Sequence, residues 1–483
     1  MPLFKMRKLI VTLCGICIYT IAFGQATISF ESSDKALENA FNWAKETALS
    51  YKGDQQDPVG PWYEAALPSR DAFCMRDVSH QCIGAEILGM SPENRNMMGK
   101  FVSNISKSKN WCSYWEINKW DKPAPADYKN DREFWYNLNA NFDLIYACQR
   151  LYQWTGDKTY INDPAFINFF EKSLNEYIKD WVLDPDSLLT RPSLPNSPLS
   201  IDKNDLYQKS RGLASYVENI HDLKMSADLI AAIFQGFTSY SSILKENGTD
   251  TQINYYEQMA SKYKNHLDSK WWDETAKKYH SYFLNNGKFG NVEGGNLFLL
   301  WFDAASERAK KEAIIQELIS SDLNVETMSY LPYLLYLNGH KEQAYRYILH
   351  LSNPATKRRE YPEVSFGIIE GIIHGLMGIE PDAHSVTIST IFRGKDQVEL
   401  KADDLPVLNS RISVEHSGSD KTSVKNKGSF PIKWVAGFTG KHSTIQIDGK
   451  PVQASYGRGI DGTEFSFVSV TLQAGQQMNA SVR

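Results

Sequence analysis

A chain of 483 residues, 42% of them hydrophobic, is long enough for a large buried core and, on length alone, for two or three domains. Its net charge of −5 argues against a nucleic-acid partner or an anionic membrane surface, both of which select basic proteins. Aromatic residues reach 12%, with 12 Trp and 25 Tyr, side chains whose flat apolar faces and polar edges suit ligand stacking as well as packing.

The first segment reads as a secretory leader. Lys5, Arg7 and Lys8 precede the apolar run Leu9 to Phe23, and small residues lie just ahead of Gln25. The run is too short and wrongly flanked for a permanent span. Residues 1–24 are therefore expected to be removed on export to the periplasm or the exterior, which takes the net charge from −5 to −8 and leaves no membrane attachment. Cys14 and Cys17 leave with the leader. Cys74, Cys82, Cys112 and Cys148 remain, expected as buried thiols with at most one bridge. These four show no CxxC spacing, and the chain has no HxH or HExxH pairing, no Gly-rich phosphate loop and no GxSxG elbow, so neither a metal nor another cofactor is expected.

The densest chemistry lies in Pro68 to Gln81, where Arg70-Asp71, Arg76-Asp77 and His80 are packed among Phe73, Met75 and Val78. Planar donors beside carboxylates are what a pocket needs to grip several hydroxyls; the plainer reading is an ion-pair network. Adjacent arginines are expected to depress Asp71 and Asp77, making them acceptors rather than proton donors. Trp111, Trp115 and Trp120, with Glu116 among them, form an aromatic loop that suits either a pocket floor or core.

From about Ser33 to Gly378 the chain reads as roughly ten to twelve helices with no convincing strand. Asn137 to Trp154 carries two adjacent apolar stripes and stops at Thr155-Gly156-Asp157. Asp222 to Leu244 shows apolar residues at steps of three and four, and its partner runs from Thr251 to Leu267. Glu326 to Ser352 holds two helices meeting at Leu337-Asn-Gly-His340, and Val364 to Met377 is the last. After Gly378 the period changes to two: Ser385 to Ile391, Gln397 to Lys401, Arg411 to Glu415, Thr444 to Asp448 and Phe465 to Leu472 predict an antiparallel β-sandwich over 380–483, with a hairpin at Asp448-Gly449-Lys450.

A row of helical hairpins followed by a small β domain resembles the six-hairpin glycosidase superfamily. Phe142 to Asp157 is similar to its helices that end in a Thr-Gly-Asp turn. Glu326 to Ser352 and Tyr361 to Asp382 are similar to the late hairpins of bacterial family 78-type α-L-rhamnosidases, whose Trp-Glu signature is represented here by Arg359-Glu-Tyr-Pro-Glu363. Met75 to Gln81 resembles the Leu-Arg-Asp loop with which exo-acting members hold a terminal sugar. The resemblance implies a mainly α protein, an (α/α)6 toroid over 25–379 ahead of the β-sandwich, working on oligosaccharides without a cofactor.

Glycoside hydrolysis needs two carboxyl groups, one protonated and one ionised. Glu218, crowded by Tyr216, Asn219, His221 and Asp222, is the expected acid. Glu363, after the basic run Lys357-Arg-Arg359, is the expected base. Arg70, Asp71, Arg76, Asp77, His80, Trp115 and Glu293 are the expected sugar contacts, Glu293 because Gly294-Gly295 lets backbone approach a ligand. The expected activity is removal of a terminal sugar from plant or host oligosaccharides. Arg70, Arg76, Arg191 and Arg211 keep a uronic acid open as that sugar. Two alternatives stand beside it: a polysaccharide lyase with His80, Tyr216 or His221 as base, and a non-catalytic glycan-binding protein.

Overall fold

The structure is a computed structural model describing residues 27–196 and 211–482; the leader read at 1–24 lies outside the described residues. The α-helices of five or more residues among the described residues are α1 (Lys35–Ser50), α2 (Met75–Ile87), α3 (Ser91–Ser103), α4 (Ala140–Thr155), α5 (Pro164–Lys172), α6 (Ala227–Leu244), α7 (Asp250–Lys270), α8 (Leu297–Trp301), α9 (Arg308–Ser320), α10 (Leu331–Leu337), α11 (Lys341–Ser352) and α12 (Pro362–Glu370).

Two kinds of helix alternate, and composition tells them apart. α6 is buried around almost its whole circumference, from Ala227 through Ile230, Ile233 and Phe237 to Ile243. α7, its neighbour, buries only Tyr256, Ala260, Tyr263 and Leu267, a single stripe at helical spacing with a charged outer face. A helix apolar all round must lie inside, and one with a single stripe can only cover it. Burying each large apolar side chain contributes about 1.5–3 kcal/mol, so the fully surrounded helices anchor the body. They pack in a circuit: α2 on α4, α4 on α6, α6 on α8, α10 on α12, and α12 back on α2. Phe298 and Trp301 of α8 close it through Tyr330 and Tyr333 at the head of α10. α1, α3, α7, α9 and α11 lie against this circuit from outside.

Glycine sets the approach of α2 to α12. A Cβ on Gly84 would lie 2.5 Å from the Phe366 carbonyl oxygen of α12. Gly84→Ala should therefore force the two helices apart and cost about 1–3 kcal/mol. Gly99→Ala on α3, where an added Cβ meets nothing within 4 Å, should be neutral or stabilise by up to about 1 kcal/mol. Denaturation midpoints of the two variants check the contrast; equal effects would remove the packing argument.

Helix boundaries differ from the sequence reading in instructive places. α4 stops where expected, with Gly156 in the left-handed region at φ +73° as its cap. α6 begins at Ala227, five residues later than its apolar stripe implies, because Leu223–Ser226 is a strand paired with Tyr282–Leu284. α12 runs on through a π turn, Gly371–Leu376. The helical region also holds short strands that the sequence reading did not anticipate, such as Ala72–Cys74 paired with Glu116–Asn118; alternation over three residues carries no readable signal.

The C-terminal region forms two sheets. One has five strands, Ile379–Asp382, Thr387–Ile391, Ile432–Thr439, Glu464–Leu472 and Ser455–Arg458. It is not wholly antiparallel, since Thr387–Ile391 runs parallel to Ile432–Thr439. The other has seven strands, and its edge is Ser29–Ser32 from the start of the described chain, paired with Glu399–Val407. The sheets thus recruit a segment from outside 380–483. The hairpin expected at Asp448-Gly449 is present, with φ +48° and +75° and Ile447 opposite Lys450. Trp154, at the end of α4, ties the bodies together: its Nε1 donates to the Pro406 carbonyl at 3.0 Å and its carbonyl accepts from Leu408 N–H at 2.9 Å. All four described cysteines are free and buried, so no bridge forms.

Candidate active site

The N-terminal ends of the circuit helices meet on one side of the helical body, and the acidic residues of their first turns converge there. Asp77 stands in the first turn of α2, Asp143 in that of α4, Asp228 in that of α6 and Glu363 in that of α12. Unpaired amides at a helix start favour carboxylates by a few tenths of a kcal/mol to about 1 kcal/mol each.

Arg76 is the hub. Its guanidinium lies 5.8 Å from the Trp115 ring centre and 5.4 Å from that of Tyr216, and its Nε is 4.0 Å from Asp77 Oδ1. Tyr216 is fixed from two sides. Its hydroxyl donates to Asp143 Oδ2 at 2.5 Å, and its N–H donates to Asp228 Oδ2 at 3.1 Å. Asp228 also accepts from Ser215 Oγ at 2.7 Å and Asn139 Nδ2 at 3.1 Å, so the segment that carries Tyr216 and Glu218 is pinned to the start of α6. Tyr216 packs on Phe298, which packs on Tyr330. This gives an aromatic wall beside a cation and several carboxyls.

The proton affinities of these carboxyls are displaced upward. Glu363 is 5% exposed, its Oε2 has no hydrogen-bond partner, and burial, then the neighbouring charge of Asp77, pushes it well above the usual carboxylate range. Asp77 is also raised, by burial against the opposing pull of Arg76. Two close carboxyls that cannot both ionise cheaply hold a proton between them. Glu218 is exposed on its turn, yet the surrounding walls dehydrate it enough to raise it, with Asp77 and Asp127 adding and Arg76 opposing. Burial pushes Asp143 up to about 7.

Several expectations change. Arg70 does not pair with Asp71. It binds Glu116 Oε2 at 2.7 Å and Asp127 Oδ2 at 2.9 Å, forming a second charged group beside Asp77, with Glu116 raised to about 9 by burial and then Asp127. Asp71 turns outward to Lys119 at 2.9 Å. Asp77 is not depressed by its arginine, because burial outweighs the attraction. His80 is buried at 3% beneath Tyr330, stacked at 3.5 Å between ring centres, with Nε2 3.1 Å from Ser329 Oγ. Burial holds it neutral, down to about 3, and it supports Tyr330 rather than presenting a donor. The basic run does not hold Glu363 down: burial is the larger effect, Arg358 is paired with Glu326 at 2.7 Å, and Arg359 lies 4.7 Å from the Trp43 ring centre. Of the three loop tryptophans only Trp115 carries Arg76; Trp120 is 55% exposed. Glu293 and His221 are exposed. Arg191 donates to the Lys224 and Trp181 carbonyls at 3.0 and 2.8 Å, and Arg211 to Asn110 and the Arg132 carbonyl.

Residues that sequence reasoning missed are Asp143, Asn137, Tyr330 and Asp228. Asp143 and Asp228 sit inside apolar helical runs, and a lone acid on a wholly buried face was their only signal. Asn137 is buried with neither amide atom hydrogen-bonded, and it stands beside Glu218. Among the described residues no group of three or more His, Cys, Asp or Glu is placed to hold a metal ion.

The trehalase family model matches residues 212–330, the stretch from the Tyr216 segment to Tyr330. No curated protein sequence matches the chain. Among solved structures, the α-L-rhamnosidase of Dictyoglumus thermophilum superposes with a TM-score of 0.62 at 14% identity, over 94% of this chain and 50% of that one. The family 78 rhamnosidase of Bacillus sp. GL1 gives 0.54 at 13%, over 80% and 40%. The α-L-rhamnosidase of Aspergillus terreus gives 0.51 at 11%, over 94% and 51%. The chain shares its fold with these α-L-rhamnosidases. It spans about half the length of these rhamnosidases. In this shared frame, Arg76, Asp77, Tyr216, Glu218 and Glu363 lie at one end of the helical body.

Proposed function

We propose that this protein is an exported glycoside hydrolase that removes a terminal sugar at the site around Arg76, on a closed (α/α)6 toroid. The observation that carries the reading is the carboxyl set itself. Glu363 is buried with one carboxyl oxygen unpartnered, and burial and Asp77 raise its proton affinity, while the more accessible Glu218 lies beside the same arginine and aromatic wall. One proton-holding and one ionised carboxyl are what hydrolysis of a glycosidic bond requires. In this reading Glu363 protonates the leaving oxygen, Glu218 acts as base or nucleophile, and Asp77 and Arg76 grip hydroxyls against Trp115 and Tyr216. The acid role thus moves from Glu218 to Glu363, since burial outweighs the basic run that was to keep Glu363 ionised.

Two of the three candidate bases of the lyase alternative are out of reach of a substrate. Tyr216 is buried, donates to Asp143 and has its phenol held above its ordinary range by burial, and His80 is sealed under Tyr330.

A screen of the mature protein from Gln25 tests the proposal, reading released monosaccharide and near-ultraviolet absorbance together. Rhamnosides come first, since the solved structures above are rhamnosidases. Free sugar without absorbance is the expected result. Absorbance from an unsaturated product would make it a lyase, and silence in both would favour glycan binding without turnover.

A further inference from the structure

The C-terminal ends of the circuit helices, on the side away from the carboxyl cluster, face the five-stranded sheet across a cavity of about 870 Å³. Its helical wall holds Tyr146, Gln149, Arg150 and Tyr333; its sheet wall is set by Val435 and Phe467. Three observations mark it as a built site. None of the side chains of Tyr146, Gln149 and Tyr333 makes a hydrogen bond to a described residue, so the wall has donors and acceptors left over. Arg150 is more than nine-tenths buried, with one Nη engaged by Glu370 and the other, Nη1, without a partner. Buried polar groups are normally paired, and each exception asks for an explanation. Finally, the π turn Gly371–Leu376 that closes one side brings His374 onto the wall, and π turns recur where a helix is adapted to a ligand.

The charges on this wall are largely cancelled. Glu370 takes Arg150, Glu380 takes Arg393, Arg458 lies 3.6 Å from Glu464, and the two further charges on the lining, Lys341 and Asp461, are of opposite sign. The rest is aromatic face, amide and hydroxyl, in a volume within the range of small-molecule sites. That combination recognises a neutral polyol with apolar CH faces, not an anion. We infer that this interdomain cavity is a second, non-catalytic binding site for a short neutral saccharide. The site goes beyond the proposed hydrolytic centre and needs none of its residues.

The test uses the full mature chain carrying Glu363→Gln, so that no bound glycan is turned over, on an array of neutral and acidic oligosaccharides. At least one neutral glycan should be retained. Its affinity should fall at least tenfold when Gln149→Leu removes the free amide, and equally when Val435→Trp fills the cavity from the sheet side. Two changes on opposite walls guard against one failing to fold. Hydrolysis by the otherwise wild-type Val435→Trp protein, wherever the wild type is active, should stay unchanged, which separates this site from the catalytic one. Binding that survives both changes, binding confined to acidic glycans, or no neutral glycan bound would each overturn the inference.

Discussion

Glu363→Gln is expected to lower kcat by roughly 10²- to 10⁴-fold, the range that general acid catalysis contributes, with little change in folding. Glutamine keeps the volume and the hydrogen-bonding edge of a protonated carboxyl, so a purely structural Glu363 would tolerate it. What it removes is the transferable proton. Substrates with different leaving groups sharpen the test. An aryl glycoside whose phenol leaves without protonation should largely bypass the loss in Glu363→Gln, whereas Glu218→Gln should be equally impaired on both kinds of substrate. The reverse pattern would make Glu218 the acid and Glu363 the base, an allocation that the raised proton affinity of Glu218 also permits. The pH profile carries the same sign. Activity requires Glu363 protonated, so it should fall as pH rises through the elevated value set by burial and Asp77, and Asp77→Asn should move that limb to lower pH. Asp71→Asn, at a residue paired outward to Lys119, should leave turnover within about twofold, since surface changes away from a site rarely matter.

Much of this site was legible before any coordinates, for identifiable reasons. Arg76-Asp77 stood out because paired charges among Phe73, Met75 and Val78 make little sense on a solvated face, and the structure places both at the start of an inner helix. Glu363 was readable because it lies in the first turn of a helix; Glu218 was read against a helix start that the structure moves to Ala227, nine residues on, although Tyr216 ties its segment to that start through Asp228. Pairings were not legible. Arg70 reaches Glu116 and Asp127, 46 and 57 residues away, rather than its neighbour Asp71, since adjacent residues on a turn point apart while a loop folded back from afar can bring a carboxylate to the guanidinium. The direction of the Asp77 shift was misjudged for a related reason: sequence shows the arginine but not the desolvation, and burial is the larger effect. The helical frame was recoverable from period and from Gly156. The strand at Leu223–Ser226 was not, because its partner Tyr282–Leu284 lies more than fifty residues on and four residues cannot display a period.

Arg150→Met should be the most destabilising single change in the helical body, by about 3–5 kcal/mol at neutral pH, the usual cost of leaving one member of a buried ion pair alone. Arg150 and Glu370 are both nearly inaccessible, with side chains 7% and 3% exposed. The guanidinium lies 4.7 Å from the Trp301 ring centre and 5.4 Å from that of Tyr146. Burial would raise Glu370, but Arg150, and then His374, hold it below its ordinary value; it is an ionised carboxylate in the middle of the fold. Without Arg150 that carboxylate must take a proton or unfold the helix it belongs to. The sign of the pH dependence follows. In the wild type, Glu370 contributes stability above the unfolded carboxylate range and loses it on acidification. In Arg150→Met its folded value lies above the unfolded one, so the variant loses stability as pH rises. The gap between the two proteins should therefore be widest near pH 7 and close toward pH 4, measured as urea midpoints at each pH. Arg150→Met/Glu370→Leu should recover most of the loss, since a well-packed apolar pair often replaces a buried ion pair at little cost. A gap that does not vary with pH, or a double variant no better than the single, would mean that Arg150 acts through packing against Trp301 and Tyr146 and not through its charge. The outcome bears on the candidate active site, because Glu370 and Glu363 share α12: the same helix that buries an ionised carboxylate against Arg150 holds at its other end one whose proton affinity burial raises, and losing the first anchor should shift the second.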